Sequence, residues 1–510
     1  MNVKKKISQL FQRFLNFVEA AGNALPHPAT LFLLFALTVL LISWLGYALG
    51  WEVKHPGTGE IIGVKNLLST EGIHSILLNT VKNFTGFAPL GIVLVAMLGI
   101  GVAERSGLIG AVIRVLVLSA PKKILTFVLV FAGILSNIAS DVGYVLLIPL
   151  AGIIFIAIGR HPLIGMAAAF AGVSGGFSAN LAIGTIDPLL AGLSEEAAQI
   201  LDPTYLVNPT ANYYFMVVST FVIAFTGTWV TEKIVAPRLG EYIPPKDLEQ
   251  EDVHPLSAKE KKGILYSSLI FAAFMGIILF GILPNDGFLR GEGGSLLRSP
   301  LLKGIVTLLF VVAVLMGIVY GFVVGKFKND TDVMNSMDAS MKTMGTYIVL
   351  VFFAAQFVAY FKESNLGIVA AVRGAEALQA ADLNIYVLMI MFIVFSASIN
   401  MLMGSASAKW AILAPIFIPI FMLMGYSPEL SQVVYRIGDS VTNIISPMMS
   451  FFALIIAFFQ KYDKKAGIGT IISLMLPFSF VFFVVWSLLL VVWIYFGLPL
   501  GPGSGLFYGG

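Results

Sequence analysis

Residues 133–153 read GILSNIASDVGYVLLIPLAGI, apolar at both ends, yet with Ser136, Asn137, Ser140, Asp141 and Gly143 in close succession at the centre. Hydrocarbon offers no water to a polar side chain or an open backbone group. Irregular polar chain at that depth is stable only where protein or a wet cavity encloses it. The stretch is therefore read as two half-crossings that meet at a polar tip, a re-entrant hairpin over residues 124–158. A second apolar region, 385–425, is interrupted in the same way by ASINMLMGSASAKWAILAP at 397–415.

The rest of the chain sets both hairpins in a polytopic, all-α membrane protein. Of its 510 residues 58% are hydrophobic and 12% charged, with a mean hydropathy of +0.91, beyond the roughly 45–50% apolar usage of soluble domains. Apolar runs near the ~20 residues that a crossing helix needs predict nine spans, at 29–50, 86–104, 163–192, 212–232, 264–284, 304–325, 345–361, 430–459 and 469–497. The first run is too long for a signal-peptide core and lacks a cleavage pattern, so it is read as a retained span. With the N-terminus inside, 21 basic residues fall on inner segments, 8 on outer ones and 2, Lys409 and Arg436, within the membrane. That bias is the one cytoplasmic loops carry. The chain then divides into a cytoplasmic segment 1–28, a first half 29–232, a cytoplasmic loop 233–263, a second half 264–497 and a tail 498–510. A net charge of +3, spread by loop, points to no nucleic-acid partner. The absence of Cys and of any paired His motif leaves little for an intramembrane hydrolase; the other rival is a passive channel.

Laying the chain over itself at an offset of 266 matches 144–174 with 410–440 at eight of 31 positions. Four of the eight are Pro149 with Pro415, Gly159 with Gly425, Pro162 with Pro428 and Gly172 with Gly438. Apolar composition alone would not arrange Pro and Gly at identical spacing. In the predicted topology the two copies open from opposite faces, an inverted-topology repeat. In secondary transporters that architecture sets substrate and ion sites at mid-membrane, where broken helices of the two halves meet.

Each hairpin is followed by a predicted span that is itself interrupted: GVSGGFSANLAIGTIDPLLAG at 172–192, holding Asp187 and Pro188, and RIGDSVTNIISP at 436–447. Arg436 and Asp439 stand at i and i+3, hence on one helix face. An intramembrane charge costs ~2.5–3.5 kcal/mol on insertion scales and marks a functional candidate. Arg436 suits an anionic substrate because its planar fork binds a carboxylate through two parallel hydrogen bonds. Asn137 and Asn400, with Ser407 and the free carbonyls of the tips, form the neutral oxygen set that a sodium ion accepts, and Asp187 and Asp439 could add charge to it. Trp410 and Tyr144, paired by the repeat, could flank an aromatic ring. The competing reading of each is structural: small polar residues that pack helices, an internal ion pair, aromatics in the core.

FTGFAPLG (84–91), GRHPLIGMAAAFAGVSGGFSANL (159–181), GSASAKWAILAPIFIP (404–419) and RIGDS (436–440) together resemble the p-aminobenzoyl-glutamate transporter (AbgT) family. The likeness covers nearly the whole chain. It implies a homodimer in the bacterial inner membrane, with nine spans and two re-entrant hairpins per protomer. It further implies secondary transport by alternating access, as symport or antiport, on a sodium or proton gradient. The substrates it implies join a benzoyl ring to a carboxylate, and some members export sulfonamide antimetabolites. It assigns functional roles to Asn137, Asp187, Asn400, Ser407, Trp410, Pro428, Arg436 and Asp439, and no cofactor beyond sodium. The related divalent-anion transporters, which suggest a dicarboxylate alternative, are similar in having Ser-Asn-Thr at both tips. Here the tips read Ser136-Asn137-Ile138 and Ser398-Ile399-Asn400, which leaves a proton-coupled cycle through Asp187 or Asp439 as a second possibility.

Overall fold

The computed structural model describes residues 26–54, 59–138, 142–240, 242, 255–295 and 299–509; Ser140 and Asp141 of the first tip lie outside them. The fold is helical, with one two-stranded sheet of Glu52–Lys54 against Ile61–Gly63. Among the described residues nine helices are long and apolar enough to cross a membrane. Seven of them overlap predicted spans: Pro28–Ala48, Thr70–Ser106, Tyr213–Leu239, Ala258–Ile282, Ile305–Val324, Gly345–Glu363 and Ile468–Tyr495.

The other two are Ile385–Leu402 and Ala406–Leu423, the arms of the second hairpin. At 18 residues each and 1.5 Å per residue, they run about 27 Å, nearly the ~30 Å of a hydrocarbon core. The first hairpin is shorter. Its leading arm is Leu125–Ser136, and its return begins as a π-helical turn, Gly143–Leu147, before Ile148–Ala157.

The predicted spans 163–192 and 430–459 are each two shorter helices. The first runs Pro162–Phe170, passes through a π turn at Ala171–Gly175, and resumes at Ile186–Ala198. The second runs Pro428–Asn443 and resumes at Phe452–Gln460. Gly175, Gly176 and Gly184 weaken the first helix, and Pro447 interrupts the second, because proline supplies no N–H to continue the ladder.

Hairpins and broken crossings form the interior. In Ala406–Leu423 67% of the most apolar window is buried, against 11% in Ala258–Ile282 and 17% in Ile305–Val324, which present their apolar faces outward. Residues 498–509 are packed rather than trailing. The Tyr214 and Phe215 amides donate to the Leu500 carbonyl at 2.9 and 3.2 Å, and the Ser427 amide donates to Leu506 at 3.0 Å. The tail thus ties the start of Tyr213–Val230 to that of Pro428–Asn443.

The repeat is visible in its closest contacts. A Cβ on Gly172 would stand 2.2 Å from the Val130 carbonyl oxygen, in the leading arm of the first hairpin. A Cβ on Gly438 would stand 2.5 Å from the Ile393 carbonyl oxygen, in the leading arm of the second. In both halves the broken crossing lies backbone to backbone on its hairpin. Gly172→Ala and Gly438→Ala are each expected to lower stability by about 1–3 kcal/mol through overpacking. The measurement is the thermal midpoint of the detergent-purified protein. Gly276→Ala, with nothing within 4 Å of the added carbon, should leave the midpoint at or slightly above the wild-type value.

Candidate functional site

Four charged side chains are buried where the broken crossings meet the second hairpin. Asp187 stands in the first turn of Ile186–Ala198, where the helix dipole favours a carboxylate. Its Oδ2 accepts from the Gly184 amide at 2.7 Å, and its Oδ1 lies 2.7 Å from Arg436 Nη2. Asp439, one turn beyond Arg436, pairs with neither Arg436 nor Asp187. Its Oδ1 lies 2.5 Å from Lys409 Nζ, and Lys409 is fully buried. The i, i+3 spacing does set Arg436 and Asp439 side by side along one helix, but each finds its counter-ion on another segment. Isolated charges could not be held at this depth, and removing one partner of such a pair costs 3–5 kcal/mol.

The two tip asparagines differ in what they leave open. The Asn137 amide nitrogen donates to the Val173 carbonyl at 3.0 Å and to Ile134 at 3.2 Å, which clamps the first tip on the first broken crossing. Its Oδ1 is buried and accepts from no donor among the described residues. Asn400 is clamped in the same manner, donating to the Asp439 carbonyl at 2.7 Å, to Thr442 Oγ1 at 2.9 Å and to Asn443 Oδ1 at 2.8 Å. Its Oδ1, however, is taken by Lys409 Nζ. Ser407 is half-buried near the start of Ala406–Leu423, 3.3 Å from Ser405 Oγ. Pro428 is the first residue of its helix, capped by Ser427, whose Oγ accepts from the Leu430 amide at 3.1 Å.

Between the tips lies a cavity of about 270 Å³. Asn137 and Phe177 reach it from the first half and Gly404, Ala406 and Asn443 from the second, while Tyr144 and Phe451 stack in its wall at 4.6 Å and 11°. Tyr144 thus lines the cavity, and Trp410 does not. It is fully buried away from the cavity, stacked 4.5 Å from Tyr435, with Nε1 donating to Ser194 Oγ at 2.9 Å. A tryptophan whose N–H finds a partner inside is stable in the core. Arg436, Asp439, Asp187, Ser407 and Pro428 also stand outside the cavity wall. Arg436 borders a separate small recess with Ser178, the neighbour of Phe177. The sequence reading passed over Asn443, Thr185 and Phe451; the break at Pro447, with aromatics directly after it, was the available signal for Phe451.

Over residues 13–508 the chain matches the model of the "AbgT putative transporter family". It is 38% identical, over 96% of both chains, to the p-aminobenzoyl-glutamate transport protein of Escherichia coli strain K12. Two solved structures share its fold. The Alcanivorax borkumensis YdaH transporter, described as having an unusual topology, superposes with a TM-score of 0.89 at 46% identity, covering 94% of this chain and all of that one. Neisseria gonorrhoeae MtrF, described within a class of antimetabolite efflux pumps, gives 0.91 at 51% identity, covering 96% of this chain and all of that one.

The ion pairs lead to a stability prediction. Asp187→Asn should destabilise the protein by about 3–5 kcal/mol, because it leaves Arg436 as an uncompensated buried cation. Arg436→Gln added to Asp187→Asn should recover most of that loss. The thermal midpoints of the two single variants and the double variant form the cycle; strictly additive losses would show that the two side chains do not interact.

Proposed function

The chain belongs to the AbgT family of transporters, and from that premise we propose that it carries aromatic carboxylates of the p-aminobenzoyl-glutamate type across the inner membrane by alternating access. It is a multi-pass membrane transporter; the ring-bearing substrate, the coupling to a sodium or proton gradient and a homodimeric assembly are the proposal. The observation that carries the reading is the state of Arg436. Only its Nη2 meets an acceptor, Asp187, while Nε and Nη1 are buried with no hydrogen-bond partner. Unpaired buried donors are costly, and a substrate carboxylate is the ligand whose geometry matches the guanidinium fork. In the described arrangement Arg436 borders a small recess separate from the cavity. Substrate capture then exchanges Asp187 for the incoming carboxylate as the broken crossings shift.

The cavity chemistry supports an aromatic substrate over a small dicarboxylate. Tyr144, Phe177, Tyr347 and Phe451 stand in its wall, with Asn137 and Asn443 as polar contacts. The direction of transport has two readings. The relative named for p-aminobenzoyl-glutamate is 38% identical, whereas the efflux pump MtrF is 51% identical, and the latter figure favours export of antimetabolites as a second activity. The outward apolar faces of Ala258–Ile282 and Ile305–Val324 are available to lipid or to a second protomer.

The test is counterflow of labelled p-aminobenzoyl-glutamate in proteoliposomes, with sodium and pH gradients set independently. Uphill accumulation on one gradient supports the carrier mechanism, and flux that only ever dissipates a gradient would make the protein a channel. Arg436→Lys keeps the charge and loses the fork, so substrate affinity should fall about ten- to a hundredfold, the ~1.5–3 kcal/mol of a hydrogen bond to a charged group. Unchanged binding by a correctly folded Arg436→Lys protein would remove Arg436 from the substrate site.

A further inference from the structure

The repeat brings the same two backbone positions together in both halves, yet fills them differently. At the offset of 266, Lys409 corresponds to Gly143 and Asp439 to Val173. In the second half Lys409 Nζ meets Asp439 Oδ1 at 2.5 Å. In the first half a Cβ on Gly143 would lie 2.9 Å from Val173 Cγ1 and 2.0 Å from Ser136 Oγ. The contact is therefore kept and the charge is not. No side chain fits at Gly143, and Val173 offers only its carbonyl, which Asn137 Nδ2 uses.

The consequence falls on the tip oxygens. Asn137 Oδ1 in the first half is buried and accepts from no donor among the described residues. Asn400 Oδ1 in the second accepts from the Lys409 ammonium, which also holds the Asp439 carboxylate. Asn443 completes this group, accepting from Asn400 at 2.8 Å and donating to Asp439 Oδ2 at 3.4 Å, and it lines the central cavity. An amide oxygen and a carboxylate oxygen converge on one point, and both are hard oxygen ligands of the kind an alkali cation takes. The point is occupied by a primary ammonium on a four-carbon stem.

We propose that Lys409 is a tethered cation: its ammonium fills the monovalent-cation site of the second tip, so that in the native chain only the first tip, at Asn137, is open to a free ion. The inference rests on the reading of the tips as ion sites but not on transport itself, and it specifies how the two halves divide the work. The second tip is neutralised permanently and holds its hairpin on the broken crossing whatever the ion concentration. The first tip is the one that can respond to the gradient. Lys409 acts as a positioning residue for Asn400 and Asp439 and does not line the central cavity.

The proposal predicts that a sodium site is uncovered when the tether is removed. Thermal unfolding of the detergent-purified wild type, Lys409→Ala and Lys409→Ala/Asp439→Asn is followed against sodium, with choline chloride holding ionic strength constant. Lys409→Ala should show a sodium-dependent rise in midpoint of several degrees beyond any wild-type response, and the double variant should lose that increment. A Lys409→Ala protein that folds only in sodium supports the proposal equally. A sodium response equal to that of the wild type overturns it. Radiolabelled sodium bound to the wild type at saturation provides the measurement that needs no variant of Lys409. At most one ion per protomer is expected, and any ion bound should be lost in Asn137→Ala; two ions per protomer, or one retained in Asn137→Ala, overturns the assignment. Because both readouts are binding measurements, they stand or fall separately from the counterflow assay of the proposed transport.

Discussion

Four charges buried together, sealed from bulk solvent, constrain everything around them. Moving a single carboxylate or ammonium into a low-dielectric interior is so unfavourable that it must be matched by a counter-ion and hydrogen bonds. Here Asp187 with Arg436 ties the first broken crossing to the second, and Lys409 with Asp439 ties the second hairpin to the same helix. Pro428–Asn443 is thereby the shared element, carrying one member of each pair and all but sealed from solvent along its length. Any rearrangement that parts a pair must supply a replacement charge at the same moment. In the proposed transport cycle an anionic substrate would do this at Arg436, and occupancy of the site would then be linked to movement without a separate signalling route.

The architecture was legible wherever apolar length and the spacing of Pro and Gly decided it. Both hairpins, both interruptions and the repeat follow from those features, since few other sequences satisfy the backbone within a bilayer. What could not be read was partnership. The i, i+3 relation of Arg436 and Asp439 invited a local pair, but neighbours on one helix say nothing of what faces them, and residues 249 and 30 positions away in sequence supplied the counter-ions. Trp410 is a second case: the repeat pairs it with Tyr144, but only tertiary packing shows that Ser194 receives its N–H while Tyr144 turns to the cavity.

The two halves are alike in path and unlike in chemistry. Duplicated backbone supplies two tips, two clamping asparagines and two interrupted crossings, and a few substitutions then give each copy its own task. The polar network around Asn400 has every amide hydrogen and its oxygen engaged, whereas Asn137 retains an open oxygen. A satisfied network rigidifies its surroundings and an unsatisfied one awaits a ligand. Asymmetry of this kind lets one hairpin serve as an anchor while the other reports on the surroundings.

The glycine contacts bear on speed as well as on fit. Where Gly172 meets Val130 main chain lies on main chain, and where Gly438 meets Ile393 the backbone approach is as close, with only the small Ser396 side chain beside it. Interdigitated helices resist sliding because each step must force rotamers out of their wells, and close-packed interiors yield to that only in discrete jumps. Between hairpin and crossing it is the clamping asparagines that hold what the glycines let come close. Displacement along that contact would have to exchange those hydrogen bonds and the neighbouring ion pairs, so in the proposed carrier the rate of turnover would depend on what occupies the site.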